Sequence, residues 1–127
     1  MAAVIYLDTH VAAWLFAGDQ TRISRPARLA IESHDLLISP AALLELEYLY
    51  ETKRTRTPGA AVVDDLQDRI GLRVCDLPFH DIVRSAMGHR WTRDPFDRLI
   101  VGHAAIRATP LLTKDRTFRR HYASAVW

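Results

Sequence analysis

The chain holds a single cysteine, Cys75, in 127 residues, so no internal disulfide can form. Cys75 lies in an apolar run with Leu72, Val74 and Leu77, where a buried free thiol in a reducing cytosol is expected. Glycine is scarce, five in all, and none falls in a Gly-x-Gly-x-x-Gly or Walker-type loop. Nucleotide-cradling functions lose their support accordingly. There is no Gly-x-Ser-x-Gly elbow for a serine hydrolase. The six histidines are dispersed, without a helical zinc pair. No apolar run approaches the roughly 18 residues a transmembrane helix needs. The apolar start, Met1 to Leu7, lacks a basic region and meets an acid at Asp8, unlike a signal peptide. These absences point to a cytoplasmic protein without a membrane partner. Lysine is nearly missing: Lys53 and Lys114 are the only two among 17 basic residues. The positive charge is therefore arginine, the better fork for phosphate oxygens. A net charge of +2 adds only modest support for nucleic-acid binding.

What is present is a 49% apolar chain of ordinary domain length, expected to form one domain over residues 1–127. Short β-like runs alternate with helical ones, the pattern of an α/β domain with a mainly parallel sheet. Strands are expected at Val4–Leu7, Leu36–Ile38, Arg73–Leu77, Pro110–Thr113 and Ala123–Trp127. Helices are expected from Thr9 to Phe16, from Ser24-Arg25-Pro26 to Ser33, and from Ser39-Pro40 to Thr52. Further helices follow over Ala60–Ile70, His80–Trp91 and Asp94-Pro95 to Arg107, with a helical turn around Phe118. The serines and Asp94 act as N-caps before early helical prolines. The basic stretch from Lys53 to Gly59 breaks the chain.

Four acids stand out within this frame. Ligand sites in parallel sheets lie past the carboxyl ends of strands, and Asp8 and Asp115 fall just past two of them. Asp8 reads either as an N-cap or, with Thr9 as the cap, as a carboxylate facing the crevice. On a wheel of about 100° per residue, Glu45 falls inside an extended apolar arc of Leu43, Leu44, Leu46, Tyr48, Leu49 and Tyr50. Glu47 and Glu51 fall in the polar gap, solvated. An inward carboxylate needs a salt bridge or a metal. Asp94 and Asp97 share a helix start as N-cap and N3, and Asp97 also faces Ile100, Val101 and Ala104. Asp115 reads as a cap or as a site acid, and Thr113 is placed to hydrogen-bond a neighbouring carboxylate or a water. Clustered carboxylates repel one another unless a cation joins them, and all-oxygen ligands select a hard one, Mg²⁺ or Mn²⁺.

The run of Leu7-Asp8-Thr9, then Ser39 to Glu45, then Arg93-Asp94-Pro95-Phe96-Asp97-Arg98-Leu99-Ile100, then Leu112-Thr113-Lys114-Asp115 resembles PIN-domain proteins, in particular VapC-type toxins of bacterial toxin–antitoxin pairs. The resemblance spans essentially the whole chain, and its Asp-Pro-Phe-Asp stretch is the most specific part. It implies a three-layer α/β/α sandwich, a Mg²⁺-dependent endoribonuclease, a homodimer, and a cognate VapB-like antitoxin whose tail covers the active site. The family's four acids fall on Asp8, Glu45, Asp97 and Asp115. Asp8 and Asp97 are the implied metal ligands, with Thr9, Asp94 and Thr113 in support around them.

In-line attack of a metal-activated water on a phosphodiester would leave a 5′-phosphate and a 3′-hydroxyl. Arg93, Arg98, Lys114, Arg116, Arg119 and Arg120 lie beside the acids in sequence and are expected to meet RNA phosphates. Single-stranded or looped RNA reaches a recessed site more easily than a duplex. Leu44, Tyr48, Trp14 and Trp91 are either core or a surface for a second subunit or antitoxin. Two other enzymes fit less well. A haloacid-dehalogenase-like phosphatase needs an acid where His10 stands, and a receiver domain gives Glu45 no role. A non-catalytic PIN-fold module that binds RNA or protein is the alternative left open.

Overall fold

Val4–Leu7 is apolar at every position, as a strand covered on both faces requires, and it forms β1 at the centre of the sheet. The computed structural model describes residues 3–127, so Met1 and Ala2, where the apolar start begins, lie outside the described residues. From β1 the chain passes through α1 (Thr9–Ala17), a 3-10 turn (Gln20–Arg22) and α2 (Arg25–Ser33) to β2 (Asp35–Ile38). It continues through α3 (Pro40–Glu51) and α4 (Gly59–Ile70) to β3 (Arg73–Val74). Next come α5 (Phe79–Met87), α6 (Pro95–Ile106) and β4 (Leu111–Leu112), then α7 (Arg116–His121) and β5 (Ala125–Val126).

The strand order is β3-β2-β1-β4-β5 and every pairing is parallel, so the sheet is wholly rather than mainly parallel among the described residues. Parallel neighbours need crossovers, and helices supply each one, which gives the α/β/α layering. The register has one consequence for function. Leu7 pairs with both Ile38 and Leu112, Ile38 with Val74, and Leu112 with Val126. All five strands therefore end level, and the residues that follow them share one rim.

Local chemistry fits the expected boundaries in most places. Ser24 Oγ accepts from Ala27 N–H at 3.1 Å, and Ser39 Oγ from Ala41 N–H at 3.1 Å. Asp94 Oδ1 accepts from Phe96 N–H at 2.8 Å and Asp97 N–H at 3.2 Å. Each cap satisfies amide groups that a helix start leaves without partners. Gly18 and Gly71, with φ of 71° and 72°, end α1 and α4 in the left-handed region that a side chain disfavours.

Three strands and one helix are shorter than expected; the last two strands span Leu111–Leu112 and Ala125–Val126 rather than Pro110–Thr113 and Ala123–Trp127. The third strand stops at Val74 rather than Leu77; Cys75 N–H still donates to Ile38 O at 2.8 Å, and Pro78 then opens α5. That helix begins at Phe79 and stops at Met87, not Trp91. Gly88 N–H turns back onto Ser85 O, and the Arg98 guanidinium donates to Ala86 O at 3.2 Å and Met87 O at 3.1 Å. Those two carbonyls are among the orphan acceptors of a helix end, so the arginine caps α5 from outside.

The core is continuous, with Leu7, Ile38, Leu111 and Leu112 at its centre and Leu46, Ile100 and Phe118 packed into it. Each such side chain stabilises the fold by about 1.5–3 kcal/mol relative to exposure. Cys75 is a buried free thiol as expected, 3.0 Å from the Tyr6 hydroxyl.

Candidate active site

In this sheet the direction of strand addition reverses between β1 and β4. The chain leaves β1 toward β2 on one side and β4 toward β5 on the other. Crevices at such points receive ligands. Because Leu7 and Leu112 are partners, Asp8 and Thr113 emerge beside one another. Thr113 Oγ1 donates to Asp8 Oδ2 at 2.7 Å, and Thr9 N–H donates to Asp8 Oδ1 at 2.7 Å. Asp8 is only 7% exposed, and burial pushes its carboxyl up to about 6. The two hydrogen bonds and His10 pull against that rise, while the charge of Glu45 adds to it. The alternatives read for Asp8 turn out to be compatible. It occupies the N-cap of α1 and also faces the crevice, so Thr9 is not the cap; Thr9 Oγ1 is buried without a partner.

Asp97 sits in the first turn of α6, half-buried. Burial is the main reason its carboxyl rises to about 7, followed by the negative charges of Asp94, Asp8, Glu45 and Asp115. The named sources give the arrangement: acids from β1, α3, the start of α6 and the start of α7 share one electrostatic field. Asp94 is exposed and caps α6. Glu45 is half-buried on α3. Of the two glutamates expected to be solvated, Glu51 is exposed but Glu47 is not. Glu47 Oε1 accepts from Gly59 N–H at 2.9 Å and ties α3 to the start of α4.

Asp115 is the N-cap of α7, and its charge reaches Asp97. Its Oδ1 accepts from Thr117 N–H at 2.7 Å and Phe118 N–H at 3.1 Å, and its own N–H donates to Thr113 Oγ1 at 3.0 Å. Thr113 is fully buried and so links the two acids, giving its proton to Asp8 and accepting one from the Asp115 backbone.

Among the described residues, ion pairs join Arg22 to Asp19 and Arg69 to Asp65, and none reaches Asp8, Glu45, Asp97 or Asp115. A deeply buried carboxylate held by neutral donors alone, beside three others, is a site short of positive charge. The all-oxygen donor set suits Mg²⁺ or Mn²⁺. No three side chains among the described residues converge closely enough to enclose an ion by themselves.

The basic residues divide. Arg93, Lys114, Arg116, Arg119 and Arg120, neighbours of the acids in sequence, are exposed, and Arg119 donates to Lys114 O at 3.3 Å. Arg98 is different, because its guanidinium is engaged with the carbonyls ending α5. Lys114 Nζ lies 5.8 Å from the ring centre of Trp14, within cation–π reach. Trp14 packs edge-on to Trp127, while Trp91 stacks on His121 and meets Phe118 edge-on.

One pair escaped the sequence. Ser39, expected only as a cap, is fully buried with Oγ 2.8 Å from His103 Nδ1, and that nitrogen is 3.1 Å from Leu99 O. Burial holds the His103 imidazole below its ordinary value. Nothing in the local pattern joins a serine in a Ser-Pro cap to a histidine one turn from the end of another helix.

The PIN domain family model matches residues 5–123. The chain is 33% identical over 120 residues to Ribonuclease VapC22 of Mycobacterium tuberculosis (strain ATCC 25618 / H37Rv), covering 92% of this chain and 91% of that protein. Its fold resembles a toxin–antitoxin complex from Klebsiella pneumoniae, with a TM-score of 0.68, 18% identity, and 97% and 96% of the two chains covered. It also resembles VapBC2 from Rickettsia felis bound to a DNA fragment from their promoter, with a TM-score of 0.65, 18% identity, and 93% and 92% covered. DNA-bound VapBC from Salmonella typhimurium gives 0.61 at 22% identity over 95% and 93%. With the family model spanning nearly the whole chain and a VapC ribonuclease as a relative over nearly its full length, this chain belongs to the PIN-domain family.

Proposed function

We propose that the chain is a divalent-metal-dependent endoribonuclease toxin of the VapC type, acting as one domain in the cytoplasm and neutralised by a VapB-like antitoxin. The observation that carries this reading is the buried Asp8–Thr113 pair at the sheet's switch point, in the field of three further acids and without a cationic partner among the described residues. A binding module has no use for a carboxylate buried at such cost.

Asp8 and Asp97 would hold the ion, Mg²⁺ or Mn²⁺. Bound there, it would polarise an RNA phosphodiester and acidify a water. Thr113 holds the Asp8 carboxylate in one orientation by donating to Oδ2, and its contact with the Asp115 backbone fixes the second acid relative to the first. One oxygen of Asp115 is engaged in the cap, leaving the other for a water. Glu45, half-buried across the site, positions the attacking water from α3. Burial, with the neighbouring negative charges adding to it, raises Asp97, so it takes up its full charge near neutral pH only when a cation is at hand. Lys114, Arg93, Arg116, Arg119 and Arg120 supply the phosphate contacts. Leu44 and Tyr48, about half exposed on α3, offer apolar surface to a second copy in a homodimer or to the antitoxin.

Purified protein incubated with a mixed cellular RNA pool, with Mg²⁺ and with EDTA, tests the reading. Metal-dependent cutting that disappears in both Asp8→Ala and Asp97→Asn supports it. A folded, antitoxin-free protein that neither cuts nor binds Mg²⁺ points instead to the non-catalytic module.

A further inference from the structure

A cleft of about 460 Å³ lies between α1, α3 and the segment joining α3 to α4. Its walls carry Trp14 and His10 from α1, Arg22 from the 3-10 turn, and Arg54, Thr55 and Arg56 from the joining segment. Three features connect it to the acid site. His10 is two residues past Asp8, and Leu46, which also lines the cleft, follows Glu45 directly. Lys114, which precedes Asp115, lies with its Nζ 5.8 Å from the ring centre of Trp14, a wall of the cleft.

The charge of the cleft is one-sided. Asp19, the acid in its lining, is paired with Arg22 at 3.0 Å, and the Arg22 guanidinium lies 5.7 Å from the Trp14 ring centre. Arg54 and Arg56 are exposed and form no ion pair among the described residues. The segment that carries them is held at both ends. Arg54 N–H and Thr55 N–H both return to Leu49 O, at 2.8 and 3.2 Å, after a left-handed Lys53 with φ of 62°. At the other end Gly59 N–H is bound by Glu47. Between these ties the Thr55 hydroxyl is buried without a hydrogen-bond partner, although it lines the cleft. Aromatic and imidazole rings and two unpaired guanidinium forks around a space of nucleotide size are the parts of a single-stranded nucleic-acid site.

We propose that this cleft is an RNA subsite, receiving a nucleotide flanking the scissile phosphate: Arg54 and Arg56 take the backbone and the Trp14–His10 wall takes the base. The subsite positions the strand and sets sequence preference, and it rests on the nuclease reading above. An acidic antitoxin segment is the competing occupant.

The test uses a fluorescein-labelled random-sequence 12-nucleotide RNA in EDTA, read by anisotropy across a salt series, and cleavage of the cellular RNA pool with Mg²⁺. Arg54→Gln with Arg56→Gln, both exposed positions, should weaken binding about tenfold and lower the salt slope by about 1.4, at about 0.7 per phosphate contact for single strands. KM should rise by a similar factor with kcat changed less than twofold. Arg54→Lys with Arg56→Lys should keep the salt slope. Trp14→Leu, if folded by circular dichroism, should keep the slope but flatten the sequence profile at the cut sites. Unchanged affinity, slope and profile in the glutamine double variant would overturn the subsite. So would wild-type cleavage combined with lost inhibition by the cognate antitoxin, which would make the cleft a protein dock. Absence of metal-dependent cleavage in the wild type is a failure of the nuclease reading itself, and is seen before any variant is compared.

Discussion

Replacing Asp8 by asparagine should stabilise the metal-free protein while abolishing its chemistry. The Asp8 carboxyl is held at about 6 in the folded chain, against about 3.9 when exposed. Folding therefore favours its protonated form. The penalty for the charged form is fully present above pH 6, shrinks as the pH falls from 6 toward 4, and is absent below the unfolded value. At about 1.4 kcal/mol per pKa unit the penalty is roughly 3 kcal/mol at pH 7.5. Asparagine removes it while its oxygen still accepts from Thr9 N–H; its amide can donate to Thr113 Oγ1, but the Thr113 O–H then loses its acceptor, which offsets part of the gain. In EDTA at pH 7.5 the Asp8→Asn melting temperature should rise by on the order of 10 °C. The gap should shrink to about a third by pH 4.5 and vanish below the unfolded value. Adding Mg²⁺ at a hundred times its Kd should return about 2.7 kcal/mol to the wild type and nothing to the variant. Calorimetry at the two pH values, with and without Mg²⁺, reads all three effects. An Asp8→Asn protein no more stable than wild type in EDTA, or an advantage that persists unchanged at pH 4.5, would refute the claim that this carboxylate lacks a counter-charge.

Thr113→Val removes the donor to Asp8 and the acceptor for Asp115 N–H; Mg²⁺ affinity by titration calorimetry should fall about tenfold or more, as for lost outer-shell partners, with Thr113→Ser restoring most of it. Arg98→Ala should cost about 1–2 kcal/mol in urea unfolding because two carbonyls at the end of α5 lose a charged donor, while the salt dependence of RNA binding stays as in wild type. A salt slope reduced by a full contact would return Arg98 to the phosphate rim. Gly59→Ala places a methyl carbon 2.8 Å from both Leu43 O and Glu47 N, so α4 must back away from α3. A loss of about 1–3 kcal/mol in denaturant stability is expected, and a neutral result would show that the joint is looser than drawn.

Strand and helix identities were legible because their causes are local. Val4–Leu7 is continuously apolar, Ser-x-Pro and Asp-Pro pairs announce helix starts, and Gly18 and Gly71 close helices by adopting a backbone few other residues accept. The places of three acids at element ends were legible for a similar reason, since Asp8 and Asp115 follow apolar strands and Asp97 follows a cap. The end of α5 was not, because Arg98, eleven residues beyond Met87, takes the carbonyls that stop it. Nor was the role of Glu47, whose partner is the amide that opens the next helix.

By itself, then, the sequence determined which segments are strands and helices, and which carboxylates stand at their ends, because hydrophobic period, capping and turn chemistry act within a few residues. Only the tertiary structure decided that Leu7 and Leu112 are partners, and with that register came the Asp8–Thr113 hydrogen bond across 105 residues and the raised carboxyls of Asp8 and Asp97. The same holds for the cleft. Trp14 reads only as core or partner surface, and Arg22, Arg54 and Arg56 go unremarked, until packing brings three separate parts of the chain to one wall, because burial and electrostatic fields depend on distance in space and not along the chain.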